Sequence, residues 1–288
     1  MGATSLVGEC LLPVLAQTGA QVVAFSRQEH GQVDGGVEWR RLFQTSFPPP
    51  PAPLRPGEGG LKQWICVAPI WVLPDYFGLL ETHGALRLVA LSSTSRFTKD
   101  DSSDPEEQAV ARRLAEAEMR VRVWAESKGV EWIILRPTLI YGRGRDKNIS
   151  EMARFIRRFG FFPIFGRASG LRQPVHAEDV AGACVAALNA ATATNRAYNL
   201  SGGETLSYRE MTTRVFAALG RHPKLLTVPL ALFRFGLVCV RWLPRYRHWS
   251  AAMAERMNRD LLFDHADAAR DFGFSPRQFV LVPKDLPS

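Results

Sequence analysis

The residues of this chain best suited to chemistry stand at its start. Met1-Gly2-Ala3-Thr4-Ser5-Leu6-Val7-Gly8 sets small residues at Gly2, Ser5 and Gly8, directly ahead of a helical pattern over Glu9 to Ala20. Small residues at that spacing let the backbone turn sharply and approach a ligand. The helix behind them aims unpaired N–H groups and a partial positive charge at the same point, which makes a cradle for a pyrophosphate. A second pair, Ser26-Arg27, ends the apolar run that begins at Gln21. A carboxylate at such a strand end would accept from a ribose 2′-hydroxyl and favour NAD. Serine and arginine instead offer donors and positive charge to a 2′-phosphate, so NADP(H) is expected over NAD(H).

These groups need a scaffold that brings them together, and the chain reads as alternating strand and helix. Apolar runs at Gln21–Arg27, Val37–Phe43, Trp64–Pro69, Leu86–Leu91, Trp132–Leu135 and Ala197–Leu200 are predicted strands, with helices over Ala109–Gly129 and Val180–Asn189. That alternation predicts parallel pairing in an α/β, Rossmann-type doubly wound sheet. Phe47-Pro48-Pro49-Pro50-Pro51-Ala52-Pro53 cannot be helical and reads as an extended connection.

Composition narrows the class. Across 288 residues, 46% are hydrophobic and 22% charged, which is ordinary for a globular domain with a smaller lobe. The 36 Lys and Arg against 28 Asp and Glu give a net charge of +8, which suits anionic ligands or an acidic membrane surface. No nucleic-acid-binding module is recognisable, so nucleic acid is not an expected partner. Cys10, Cys66, Cys184 and Cys239 are widely spaced in apolar runs with no C-x-x-C pair. Neither a zinc site nor a disulfide framework is therefore expected, and reduced buried thiols fit a cytoplasmic protein. No secretory signal is visible.

Four segments in order, Gly2–Gly8, Leu91-Ser92-Ser93-Thr94, Leu135-Arg136-Pro137-Thr138-Leu139-Ile140-Tyr141-Gly142 and Gln173-Pro174-Val175-His176-Ala177-Glu178-Asp179-Val180-Ala181, resemble those of extended short-chain dehydrogenases/reductases (SDRs). Asn199–Glu204 and Asp271–Arg277 look like that family's substrate-lobe landmarks. The resemblance to these epimerase/dehydratase-like proteins implies a dinucleotide-binding domain over 1–142 with 173–200, and a substrate lobe over 143–172 with 201–288. It implies that Thr94 hydrogen-bonds the reacting oxygen. It further implies that Gly2, Thr4, Ser5, Leu6, Val7, Gly8, Ser26, Arg27, Ala68, Pro69, Ser92, Ser93 and Pro137 surround the dinucleotide, and that Arg172 faces a small-molecule substrate.

The chain departs from that pattern twice. The family's acid/base pair is a tyrosine four residues before a lysine, and the matching helix here carries Val110 and Leu114, which cannot carry a proton. Tyr141 or His176 is the candidate replacement; equally, His176 fits a structural histidine bonded to backbone. The other departure is a first strand, central in such sheets, that should precede Gly2 and is not there. A start placed too late, or another segment in the gap, is expected, and otherwise weak stability.

The lobe adds two basic, apolar stretches. Arg154, Arg157 and Arg158 share a helix side and could clamp a diphosphate, touch acidic lipid or simply be solvated. Leu225–Leu243, followed by Arg245 and Arg247, is too interrupted to span a bilayer and reads either as a packed lobe helix or as an interfacial one making peripheral membrane contact over 225–247. Two functions remain in view. One is an NADP(H)-dependent oxidoreductase or epimerase acting on a nucleotide-sugar-like or lipid-linked substrate. The other is a non-catalytic dinucleotide-binding sensor or assembly factor.

Overall fold

The computed structural model describes residues 1–28, 33–34, 36–42, 60–229 and 251–287. The proline-rich stretch 47–53, Cys239 and most of the 225–247 segment lie outside them. The amino-terminal half runs α1 (Leu6–Gln17), β1 (Val22–Ser26), β2 (Val33–Asp34), β3 (Val37–Arg41), β4 (Gln63–Cys66), α2 (Phe77–Thr82), β5 (Arg87–Leu91), α3 (Ser95–Thr98), α4 (Pro105–Lys128) and β6 (Glu131–Pro137). Four parallel strands form the main sheet in the order β11-β6-β5-β4, where β11 is Arg196–Leu200.

Alternation along the strands explains the layers. On β5, Leu88 and Ala90 face α4 and pack with Leu114, Val121 and Trp124. Val89 and Leu91 face the other way, onto Val7 and Leu11 of α1 and Val180 and Cys184 of α6 (Ala177–Asn189). Strands buried on both faces need apolar side chains at successive positions, which is why these runs were legible.

The strand expected ahead of Gly2 has a counterpart of one residue. β1 pairs in parallel with β3 in a separate sheet of order β1-β3-β2. Among the described residues, the edge of β4 that faces β1 is met only by Met1. Its amino group donates to the Ile65 carbonyl (2.7 Å) and its carbonyl accepts from Val67 N–H (3.0 Å), a single parallel rung opposite Cys66. Burial lowers the pKa of that amino group. Beyond Met1, a cavity of about 1260 Å³ bordered by Leu12, Leu15, Val23 and Ile65 separates the two sheets.

The remaining elements build the other side of a cleft. They are β7 (Ile140–Tyr141), α5 (Ile149–Phe159), β8 (Phe162–Phe165), β9 (Leu171–Arg172), β10 (Val175–His176), β12 (Leu206–Ser207), α7 (Tyr208–Ala218), β13 (Leu225–Val228) and the short helices Ala251–Arg256 and Ala266–Phe272. Their own core joins Met152, Ile156, Phe165, Met211, Phe216, Met257 and Phe279. Among the described residues, no helix is long and apolar enough to cross a membrane.

Candidate dinucleotide and substrate site

The Gly2–Gly8 loop has the backbone that its sequence requires. Gly2 sits at φ +80°, and a Cβ there would come within 2.4 Å of the Ala68 nitrogen. Gly8 lies inside α1, where a Cβ would meet the Gly2 and Ala3 carbonyl oxygens at 2.4 and 2.5 Å. Both positions therefore exclude a side chain. Ser5 caps α1: its Oγ accepts from Gly8 N–H (3.1 Å), and its carbonyl accepts from Glu9 N–H (2.9 Å). The N–H groups of Leu6 and Val7 are left to a ligand at the helix N-terminus. Ala68 and Pro69, at the end of β4, close the other side of the loop. This arrangement fits a dinucleotide pyrophosphate.

Ser26 and Arg27 end β1 as expected. Ser26 is buried, and its Oγ accepts from Gln28 N–H (3.1 Å), so the hydroxyl shapes the turn. Arg27 is exposed, and its charge is felt by the nearby Tyr76 hydroxyl, whose pKa burial raises and Arg27 pulls back.

A cleft of about 870 Å³ opens where β5 and β6 end, bounded on the sheet side by Leu6, Ser93, Thr94 and Thr138. Leu6 belongs to the pyrophosphate loop's helix, so the cleft abuts that loop. Thr94 is 5% exposed, and its Oγ1 donates to the Pro137 carbonyl (3.2 Å), which its own N–H also reaches (3.1 Å). The hydroxyl is thus fixed at the cleft wall with lone pairs still available. The lobe side contributes Met152, Phe155, Phe162, Met211 and Met257, with Arg145, Lys147, Arg172 and Arg256 as cations, and the sheet side adds Lys99. Lys99 was not singled out from sequence. It closes α3 five residues after Thr94, with Nζ 3.9 Å from a Glu107 carboxylate oxygen. Tyr208 also lines the cleft, its pKa pushed up to about 12 by burial and held back by Arg172 and Arg256.

Behind Thr94 lies a buried carboxylate. Glu118 of α4 accepts from Ser92 Oγ (2.5 Å), from Arg136 Nε (3.0 Å) and Nη2 (2.6 Å), and from Arg96. Arg96 and Arg136 each stand 5.2 Å from the Phe97 ring centre. Ser92, expected at the dinucleotide, spends its hydroxyl on this network. Four residues earlier on α4, Leu114 is buried in the core, and Val110 packs against it.

The structure does not bring Tyr141 and His176 to the cleft. Tyr141 is fully buried against His176 and Phe279, and its hydroxyl donates to the Val280 carbonyl (3.4 Å). Burial and the Asp285 charge push its pKa up to about 12. His176 caps α6, its Nδ1 accepting from Glu178 N–H (3.1 Å), which leaves Nε2–H to donate to Asp285 Oδ1 (3.1 Å). Asp285 also accepts from Arg143 N–H (3.3 Å) and Val282 N–H (3.1 Å). Both side chains bind the carboxyl-terminal segment instead. Arg172 does line the cleft, yet its guanidinium donates to the carbonyls of Leu171 (2.7 Å), Arg259 (2.8 Å) and Arg256. Burial lowers its pKa to about 10.

Residues 77–201 match the family model described as the NAD dependent epimerase/dehydratase family. The chain is 29% identical over 172 residues to a 2-alkyl-3-oxoalkanoate reductase of Stenotrophomonas maltophilia (strain K279a), covering 56% of this chain and 51% of that protein. It spans about half the length of the curated relatives it matches. Among solved structures, a UDP-glucuronic acid 4-epimerase from Bacillus cereus in complex with NAD superposes with TM-score 0.69 at 13% identity, covering 99% of this chain and 94% of that one. RMD from Pseudomonas aeruginosa complexed with NADPH superposes with TM-score 0.59 at 16% identity, over 96% of this chain and 92% of that one. Over residues 77–201 the chain is thus similar to the NAD dependent epimerase/dehydratase family, and its fold is that of these solved structures.

Proposed function

We infer that the protein binds NADP(H) at the Gly2–Gly8 loop and acts as a reductase or epimerase-like oxidoreductase on a second ligand in the adjoining cleft. The observation that carries this reading is the continuity of the two sites: Leu6 of the capped helix and Thr94 line one cavity. Bound dinucleotide would supply hydride exchange. The chain's own residues would hold its pyrophosphate on the Leu6 and Val7 N–H groups, its ribose phosphate beside Ser26 and Arg27, and the reacting oxygen at Thr94 Oγ1. Tyr141 and His176, locked on backbone and Asp285, are assigned to structure. Arg172 acts as a clasp for 256–259 that shapes the wall rather than as a direct ligand.

Apolar lining by Met152, Phe155, Phe162, Met211 and Met257 favours a substrate with an apolar body, the lipid-linked alternative over a nucleotide-sugar. The resemblance to a reductase named for alkyl-substituted oxoalkanoates agrees with that choice. A non-catalytic dinucleotide-binding role is the second reading, supported by Val110 and Leu114, neither of which can carry a proton at the positions of the family's tyrosine and lysine. Titration with NADPH and NADH separately, followed by NADPH oxidation with 3-oxoacyl and nucleotide-sugar substrates, tests both. Tight NADPH binding with turnover of an acyl substrate supports the first reading. Binding without turnover of either class supports the second, and no binding overturns both.

A further inference from the structure

Charge in this chain is distributed very unevenly. Residues 152–177 carry five Arg and no Asp or Glu, and residues 211–254 carry seven Arg and Lys and no Asp or Glu. The rest of the chain holds 24 Lys and Arg against all 28 Asp and Glu, so the whole positive excess comes from these two stretches.

Residues 156–165 of the first stretch and 221–228 of the second are neighbours in the fold. β8 pairs with β13 in parallel, Phe162 N–H donates to the Lys224 carbonyl (2.9 Å), and Arg221 reaches back to the Ile156 carbonyl (2.7 Å) near the end of α5. The turn after α7 therefore lies beside the end of α5. Arg157, Arg158, Arg221 and Lys224 are all exposed there, and none has a described carboxylate within 4.0 Å. Apolar side chains stand among them: Phe159 is 43% exposed and Leu226 is 54% exposed. Phe159 leans on Phe155 (4.6 Å between ring centres), which lines the cleft, so the patch backs the cleft wall.

Arg157 and Arg221 donate to the Pro287 and Ile156 carbonyls and Arg158 lies over the Phe159 ring at 5.3 Å, but these contacts leave their positive charge unneutralised. Exposed cations interleaved with exposed phenylalanine and leucine match the interface of an anionic bilayer, where cations meet headgroups and apolar side chains enter the acyl boundary. We propose that the face formed by the end of α5, the turn 219–224 and β13 docks on an anionic phospholipid surface. Leu226 favours lipid over nucleic acid, since an aliphatic side chain offers a base neither stacking nor hydrogen bonds.

The test is co-sedimentation of the full chain with phosphatidylcholine vesicles, with and without phosphatidylserine. Binding only to the phosphatidylserine vesicles is expected, with loss at about 0.5 M salt, where charge interactions are screened within a few ångströms. R158E/K224E is expected to weaken partition about tenfold or more, and F159A/L226A to weaken it as well. R120E/R122E on exposed α4 makes the same change of net charge away from the patch and is expected to bind as the parent does. Equal losses in the two charge-reversed variants would sink the idea. So would absence of binding to phosphatidylserine vesicles, or a short DNA duplex that binds more tightly and displaces them. All of these substitutions are at exposed positions; matching thermal melts verify the folded state, and the R158E/K224E against R120E/R122E comparison decides the matter if F159A/L226A melts early.

Discussion

Thr94 and Asp285 carry the most at the level of single residues. Thr94→Ala removes a hydroxyl that lines the cleft and is fixed by the Pro137 carbonyl, so turnover of NADPH with an accepted substrate is expected to fall about 100-fold while NADPH affinity stays. Equal loss of affinity in a titration would mean that Thr94 acts through structure. Asp285 is opposed by its own burial, but hydrogen bonds from His176, Val282 and Arg143 outweigh that and hold its carboxyl below its ordinary value of 3.8. A lowered folded-state pKa gives stability that is fully present above 3.8 and lost as pH falls through the folded value. Asp285→Asn is therefore expected to melt earlier than the parent at neutral pH, with the gap closing in melts taken below about pH 3.8. Residue type alone could not reveal this role. His176 and Tyr141 had the chemistry of proton carriers, but their partners lie 109 and 139 residues away. Arg172 is similar, two of its three carbonyl acceptors being 84 and 87 residues downstream.

Single elements were more legible, because their signals are local. Ser5 marks the start of α1, and the helix begins at Leu6, three residues before the apolar pattern suggested, since the Ser5 cap holds the first turn. α4 begins at Pro105 rather than Ala109 because Asp104 caps it and proline fits its first position, a signal that the apolar periodicity did not carry. Gly8→Val tests the close packing of α1. Its side chain has to enter space held by the Gly2 and Ala3 carbonyls, so NADPH binding is expected to vanish in a titration, with about 1–3 kcal/mol lost in denaturant melts. Glu118 ties α4 to β5 and β6 through Ser92 and Arg136. Glu118→Ala leaves two arginines without their carboxylate, and a loss of about 3 kcal/mol is expected in the same melts. A loss under about 0.5 kcal/mol would show the network to be incidental.

For the molecule as a whole, the two sheets matter more than any one helix. How β1 and β4 stand relative to each other was not legible, because strand pairing is set by the whole layer. In the folded chain, Met1 provides one rung and a cavity of about 1260 Å³ lies beyond it. In a parallel ladder, successive residues direct their N–H and C=O groups to opposite sides, so alternate groups of β1 turn from β3 toward that cavity, as alternate groups of β4 turn from β5. Among the described residues no strand stands in that cavity, so those groups are left to solvent. Backbone hydrogens bonded to water are protected only by local structure, whereas β5 is paired on both sides by β4 and β6. Amide hydrogen exchange is therefore expected to be faster along Val22–Phe25 and Gln63–Ile65 than along Leu88–Leu91, with β6 as slow as β5. Protection of β1 equal to that of β5 would mean that the two sheets are bridged in solution, and the gap would then be closed by backbone outside the described residues.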